Sequence, residues 1–351
     1  MNLPNILPLS LGFIVFSFLT NSVLIVPFID FLYKLKFTRR VQGIGGKAES
    51  LFDKLHDKKA GTPTGGGVLL VVSVVVLFAI LFPIISHLGV YISTSYKLGS
   101  ELFIIFFTFI SFGVLGLLDD IIKIFGKAKA GNLGMWIGMS RRTKFGLQFV
   151  LAGIISFWLY HFLGIHFIHL PLLPHVIDLG ILYIPLSMLI IVFFTNAFNI
   201  TDGLDGLASG LLSIYLFAFI IIAAGNLDTP LSIFIALWIG AIMAFLYFNV
   251  YPARIWLGDT GALSFGAMIA VIGLVTGNVA SLFVIGGLFV VEALSSLIQI
   301  LGWKFLHRRI FPIAPIHHAF EAIGWEEPKI VMRAWLAAIM LAILGLWLAK
   351  I

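Results

Sequence analysis

The sequence predicts an all-α integral membrane protein of about ten transmembrane helices, with both termini outside and its polar residues gathered in a cytoplasmic-face cleft. Three observations lead there. Of 351 residues, 60% are hydrophobic and only 11% are charged, where a soluble domain carries about a quarter charged residues, and the mean hydropathy is +1.11. Apolar runs near the length that crosses a bilayer, roughly 20 residues, recur along the chain. Lysine and arginine concentrate in alternate connecting segments.

The runs cover approximately 7–33, 66–88, 102–118, 145–163, 177–198, 207–224, 231–249, 262–276, 282–306 and 330–349. The first lacks a basic leader and a small-residue cleavage site, so it reads as a retained helix rather than a signal peptide. Lys34 to Lys59, Lys123 to Lys144, Arg254, and Lys304 to Arg333 all fall in odd-numbered connections. Only Lys97 and Lys350, of 22 basic residues, fall on the other side. Positive charge stays cytoplasmic, which orients the odd connections inward and both termini outward. Residues 1–351 read as a single polytopic domain, without a clear repeat or low-complexity tract. The absence of cysteine excludes disulfides, thiolate catalysis and thiolate metal sites. The net charge of +6 follows from this topology and also suits anionic lipid; nothing suggests nucleic-acid binding.

Polar chemistry converges on the inward side. "KKAGTPTGGG" places Lys59 and Thr64 before three glycines at the entry to a span, a combination suited to phosphate, or a simple turn that caps a helix. It is not a Walker motif. "LLDDIIK" sets Asp119 beside Asp120, with Lys123 one helical turn later and Lys127 beyond. Adjacent carboxylates at membrane depth are a functional hypothesis by default, and magnesium prefers one or two carboxylates, waters and phosphate oxygens. "TNAFNITDGLDGLASG" crowds Asn196, Asn199, Thr201, Asp202 and Asp205 into the joint between two spans. On a helix Asp202 and Asp205 would share a face, and Gly203 and Gly206 leave room for a ligand. In "NVYPARIWLGDTGALSFG", Asp259 stands where an N-cap would, behind Asn249, Arg254 and Trp256, whose ring suits stacking on a base. "FPIAPIHHAFEAIGWEEPK" brings His317 and His318 beside Pro315 and Glu321, a pattern for phosphate contact or proton transfer.

In this order and at these boundaries, the segments resemble the phospho-N-acetylmuramoyl-pentapeptide-transferases of bacterial peptidoglycan synthesis, within the wider polyprenyl-phosphate sugar-1-phosphate transferases. The likeness runs over residues 58–333, and its five motifs together are highly specific. It implies a Mg2+-dependent transfer at the cytoplasmic face of the bacterial inner membrane. Phospho-N-acetylmuramoyl-pentapeptide passes from UDP-MurNAc-pentapeptide to undecaprenyl phosphate, giving lipid I and UMP. It also implies a homodimer. The resemblance places the family's acidic pair on Asp119 and Asp120 and its magnesium-binding aspartate on Asp259, with the pair assisting at the metal. Its nucleotide-recognising aspartate falls on Asp202, beside Asn199, Gly203 and Asp205. Trp256 matches the ring that stacks on uracil, and Asn249 a neighbouring asparagine. Lys59, Thr64, Lys123 and Lys127 match phosphate-side or nucleotide-side positions, and Arg142 a further basic one. The family usually has a third histidine where this chain has Ala319, so His317 is expected to carry the critical role and His318 to support it.

Two chemical schemes are open: covalent attack by an aspartate, or direct attack by the lipid phosphate with Asp119 as base, which is preferred. Two other functions compete. A transferase of N-acetylglucosamine-1-phosphate to the same lipid would share the acid motifs, but the "APIHHAFEAIGW" segment argues against it. A proton-coupled transporter would place its acids near the bilayer midplane rather than at one face.

Overall fold

The computed structural model describes residues 6–38, 61–126, 138–169, 171 and 176–350; Lys59 and Lys127 lie outside them. Among the described residues, ten helices are long and apolar enough to cross a membrane. In chain order the helices are α1 (Ile6–Lys34), α2 (Gly66–His87), α3 (Leu98–Phe125), α4 (Arg141–His161), α5 (Tyr183–Thr201), α6 (Leu207–Gly225), α7 (Thr229–Asn249) and α8 (Gly258–Val275). They continue with α9 (Val279–Ile285), α10 (Gly287–Leu301), α11 (Ile316–Ala322) and α12 (Glu327–Leu348). A short antiparallel hairpin, β1 (Phe167–Ile168) with β2 (Ile177–Asp178), pairs Phe167 with Asp178 ahead of α5.

Several helices outrun the apolar segments that announce them. The run expected at 102–118 continues to Phe125, because Ile121, Ile122 and Ile124 extend the apolar pattern past the acids. Asp119 and Asp120 therefore stand within the last two turns of α3 rather than beyond its end. The run expected from 145 begins at Arg141, where Ser140 Oγ accepts the Thr143 N–H at 3.1 Å. That cap brings Lys144 into the first turn of α4. The ninth run divides: α9 ends at Ile285 with Gly286 as its C-cap, and α10 carries on through a wider π-helical turn, Gly302–Leu306. The first residues expected in the fifth span belong instead to β2 and a short 3₁₀ turn, Gly180–Leu182.

Burial orders the bundle. In α8, 89% of the membrane-length window is buried, against 22% for the span at Gly287–Leu306, so α8 is central and α10 peripheral. Hydrocarbon gives no hydrophobic drive between helices, so close association needs small residues that let backbones touch. Two such contacts aim α8. A Cβ at Gly116 of α3 would sit 2.1 Å from the Asp259 carbonyl oxygen, and one at Gly67 of α2 would sit 2.2 Å from the Gly261 nitrogen. One turn past Gly116, Asp119 and Asp120 consequently stand beside the start of α8.

Candidate active site

Side chains from four helices, α3, α4, α5 and α8, meet at this junction. Asp119 and Lys123 are four apart on α3, acid first, the favourable order for a helical pair, and their oxygen and nitrogen are 3.0 Å apart. Lys123 Nζ also lies 2.7 Å from Asp259 Oδ2. Lys144 of α4 donates to Asp119 Oδ2 at 2.9 Å and hydrogen-bonds Asp259 Oδ2 as well. Each carboxylate thus turns Oδ2 toward the same two ammonium groups. The remaining oxygen of Asp119 accepts the Met139 N–H at 2.7 Å, and Asn199 Nδ2 points at Asp259 Oδ1 from 3.4 Å. Asp119 is only 2% exposed. A charge taken out of water costs several kcal/mol even after relaxation, and a unit pair about 4 Å apart returns roughly 4 kcal/mol at an effective dielectric of 20. Sharing gives each acid two such contacts instead of one, offset in part by the acid–acid and lysine–lysine repulsions.

Asp120 has a different set of partners. Its Oδ1 accepts the Asp259 N–H at 3.0 Å, and its Oδ2 accepts both the N–H and the hydroxyl of Thr260 at 2.9 Å. These are orphan donors in the first turn of α8. The sequence suggests Asp259 itself as the N-cap, but the residue in that position is Leu257, which has no capping side chain. Asp120 supplies the cap from another helix, which leaves Asp259 free to face the lysines.

The oxygens of Asp119 and Asp259 fit a magnesium ion. They are hard donors converging on one point, and magnesium takes one or two carboxylates and completes its shell with water and phosphate oxygens. Among the described residues no group of three or more His, Asp or Glu is arranged to hold a metal by protein alone. With both of its oxygens on the start of α8, Asp120 would assist at the metal through the placement of Asp259.

A second group forms the adjoining wall. Asp202 ends α5, and Asp202 to Gly206 make a turn before α6, so Asp202 and Asp205 do not share a helix face. Asp205 Oδ2 accepts the Ala253 N–H at 2.9 Å, while its own N–H donates to Glu327 Oε1 at 2.6 Å. Asn249 donates to Ile255 O at 2.9 Å and accepts from Ser209 Oγ at 2.6 Å. Asn196 donates to Gln148 Oε1 at 2.7 Å. Trp256 is bridged to the glycine-rich segment: its N–H donates to Pro63 O at 2.9 Å, and its carbonyl accepts from Gly65 and Gly66. Thr64 lies on the same bridge. Gly203 abuts His317, where a Cβ would sit 2.4 Å from Nε2. His318 Nδ1 is 2.5 Å from Glu321 Oε2; burial lowers its pKa from the ordinary value, opposed by the glutamate. Arg142 is exposed at the start of α4.

Sequence reasoning passed over Lys144, Gln148, Glu292 and Glu327. A signal existed for three of them. Lys144 and Gln148 are one turn apart at the entry to an apolar helix, and Glu292 is an acid inside a span, where an ionisable group is functional by default.

A multi-pass helical protein whose acids and lysines converge at helix ends has the makings of a phosphoryl-group transferase, and the profile of glycosyl transferase family 4 matches residues 102–277, the stretch from α3 past α8. Within that class, the phospho-N-acetylmuramoyl-pentapeptide-transferase of Bacillus velezensis is 37% identical over 331 residues, 93% of this chain and 94% of the relative. That of Bacillus subtilis is 34% identical over 336 residues, 95% and 96% of the two chains; that of Geobacillus thermodenitrificans is 34% identical over 334, 95% of each. The chain belongs to the phospho-N-acetylmuramoyl-pentapeptide-transferase family.

Proposed function

We propose that the protein transfers phospho-N-acetylmuramoyl-pentapeptide from UDP-MurNAc-pentapeptide to undecaprenyl phosphate, releasing UMP and forming lipid I, in a Mg2+-dependent reaction. The observation that carries the chemistry is the convergence of Asp119 and Asp259 on Lys123 and Lys144. The substrate assignment rests on the relatives' activity. One phosphoanhydride forms as another breaks, so catalysis is positioning and charge stabilisation.

Each residue then has a task. Asp119 accepts the proton of the lipid phosphate, whose oxygen attacks the sugar-linked phosphorus directly. Lys123 and Lys144 turn to the diphosphate oxygens and hold them in line. Trp256 offers its ring to the uracil, and Asp202 takes a donor of the nucleotide. Asp120 keeps the start of α8 in place, and Asp205 and Asn249 hold the loop that carries Trp256. Asp259 and Asp119 would hold magnesium, which when bound supplies positive charge to the phosphoryl oxygens. The placement of basic residues supports a centre facing the cytoplasm with both termini outside; the family resemblance supports the bacterial inner membrane and a homodimer.

The test is purified protein with radiolabelled UDP-MurNAc-pentapeptide, undecaprenyl phosphate and magnesium. Label extracted into butanol is the expected result. Turnover of UDP-N-acetylglucosamine alone would replace this reading with the related sugar-phosphate transfer. Incubation without lipid separates the two schemes: UMP exchange would indicate an aspartyl intermediate, and its absence fits direct attack.

A further inference from the structure

Glu292 is a buried acid to which the transfer chemistry above assigns no task. It lies in the second turn of α10 and is 7% exposed. Its Oε2 is 2.9 Å from His317 Nδ1 and 3.4 Å from the His317 backbone nitrogen. Three residues on, Ser295 Oγ accepts the Ile316 N–H at 3.0 Å while donating to the Glu292 carbonyl at 2.8 Å. Two side chains on one face of α10 therefore grip the first turn of α11, one by ring and backbone, the other by backbone alone.

The other ring nitrogen has the opposite character. His317 is 1% exposed, and its Nε2 is a buried polar atom without a hydrogen-bond partner. It abuts Gly203, where any side chain would collide with it. Gly203 directly follows Asp202 at the end of α5, the helix whose Asn199 reaches Asp259. A buried polar atom without a partner is uncommon and asks for an explanation. Here it lies against the turn that is expected to meet the nucleotide.

A carboxylate can only accept, so with Glu292 in that form the shared hydrogen sits on His317 Nδ1. In a neutral ring the lone pair then falls on Nε2, because the bond made by one nitrogen decides the state of the other. We propose that Glu292 is a positioning residue for the transfer: it holds His317 as the Nδ1–H tautomer and presents Nε2 as a hydrogen-bond acceptor at the Gly203 turn, for an O–H or N–H donor of the nucleotide-sugar. The His-His motif suggests phosphate contact or proton transfer; a lone pair on Nε2 suits an O–H or N–H donor rather than a phosphate oxygen. The proposal rests on the transferase reading above.

The experiment uses the full chain, labelled with 15N at histidine, in detergent at pH 8, with His317→Asn to assign the ring signals. The expected wild-type spectrum shows hydrogen on Nδ1 and a bare Nε2. In Glu292→Gln the amide can donate as well as accept, so the ring is expected to populate both tautomers. Turnover should fall on the order of tenfold, the usual scale for a lost orienting partner of a functional histidine. A wild-type ring carrying its hydrogen on Nε2 would overturn the proposal. So would a Glu292→Gln protein that loses turnover with its tautomer unchanged, since Glu292 would then be a staple for α11 only. If that variant does not fold, the wild-type spectrum decides. Failure of wild-type protein to make the butanol-soluble product would remove the transferase reading and leave the tautomer result standing.

Discussion

The two ends of the bundle each bury acidic side chains, and they neutralise them by different means. At one end Asp119 and Asp259 share two lysines, and Asp120 is saturated by donors in the first turn of α8. At the other, Glu101 of α3 is fully buried against Asp228, the N-cap of α7. Thr94 donates to Glu101 Oε2 at 2.5 Å, and the Leu231 N–H donates to Asp228 Oδ1 at 3.0 Å. Their partners are thus a hydroxyl, a backbone amide and each other. Burial raises the pKa of Asp228, and burial with the two nearby carboxyls pushes the Tyr96 phenol up to about 12. Carboxyls held by a hydroxyl, a cap and each other form a joint: the same segment ties Ser93 to Thr229 and Tyr96 to Val275. Carboxylates held by lysines with mobile side chains can exchange those partners for a cation or a phosphate. Burial of an acid alone does not mark chemistry; the kind of partner does.

The largest expected difference between the ends is in turnover. Asp259→Asn should reduce lipid-linked product about a thousandfold or more, as removal of a central electrostatic group does, while Asp228→Asn should leave it within about twofold. Product formation by Asp259→Asn at the wild-type rate would break the distinction. Next comes Asp120→Asn. Its amide keeps one acceptor but sets an N–H₂ against other donors, and each buried donor left unmade costs about 1–3 kcal/mol. Both turnover and melting temperature should fall together, whereas in Asp259→Asn the loss of turnover should far exceed any fall in melting temperature from the two lysines it leaves less paired. Thermal unfolding followed beside the butanol assay distinguishes them.

A smaller effect separates nucleotide from lipid. Trp256→Ala removes a stacking surface worth about 1–3 kcal/mol, so KM for the nucleotide-sugar should rise roughly tenfold and KM for undecaprenyl phosphate should hold. An equal rise in both would mean that the ring supports the loop instead of the base. The smallest effect belongs to the far end and sharpens its assignment as a joint. The pKa of Asp228 is raised in the folded state, so its contribution to stability is full below the ordinary aspartate range and is lost as pH rises through the raised value. Asp228→Asn keeps the acceptor for Leu231 and should flatten that dependence in melting curves collected from acid to neutral pH.

Much of the architecture could be read without coordinates. Apolar length and the placement of lysine and arginine are local properties, and ten helices of membrane length lie where the apolar runs do. The ends were less legible, since a helix continues wherever its pattern and caps allow, as at Phe125 of α3 and Ser140 ahead of α4. The break at Gly286 was also hidden, because apolar residues continue on both sides of it.

For the candidate site, residue type and segment order single out Asp119, Asp259, Lys123 and the His317 pair, because clustered polar groups stand out against an apolar background. Which of them face one another was decided only by packing. Gly116 lets α3 touch α8, and that contact turns Asp120 into a cap and Asp119 toward Lys144, a residue 25 positions away. Likewise α10 must lie against α11 before Glu292 can meet His317, 25 residues on. Spacing along a chain records what one helix can present, whereas partnership between carboxylate and cation depends on a few ångströms between helices, and only the assembled bundle sets that distance.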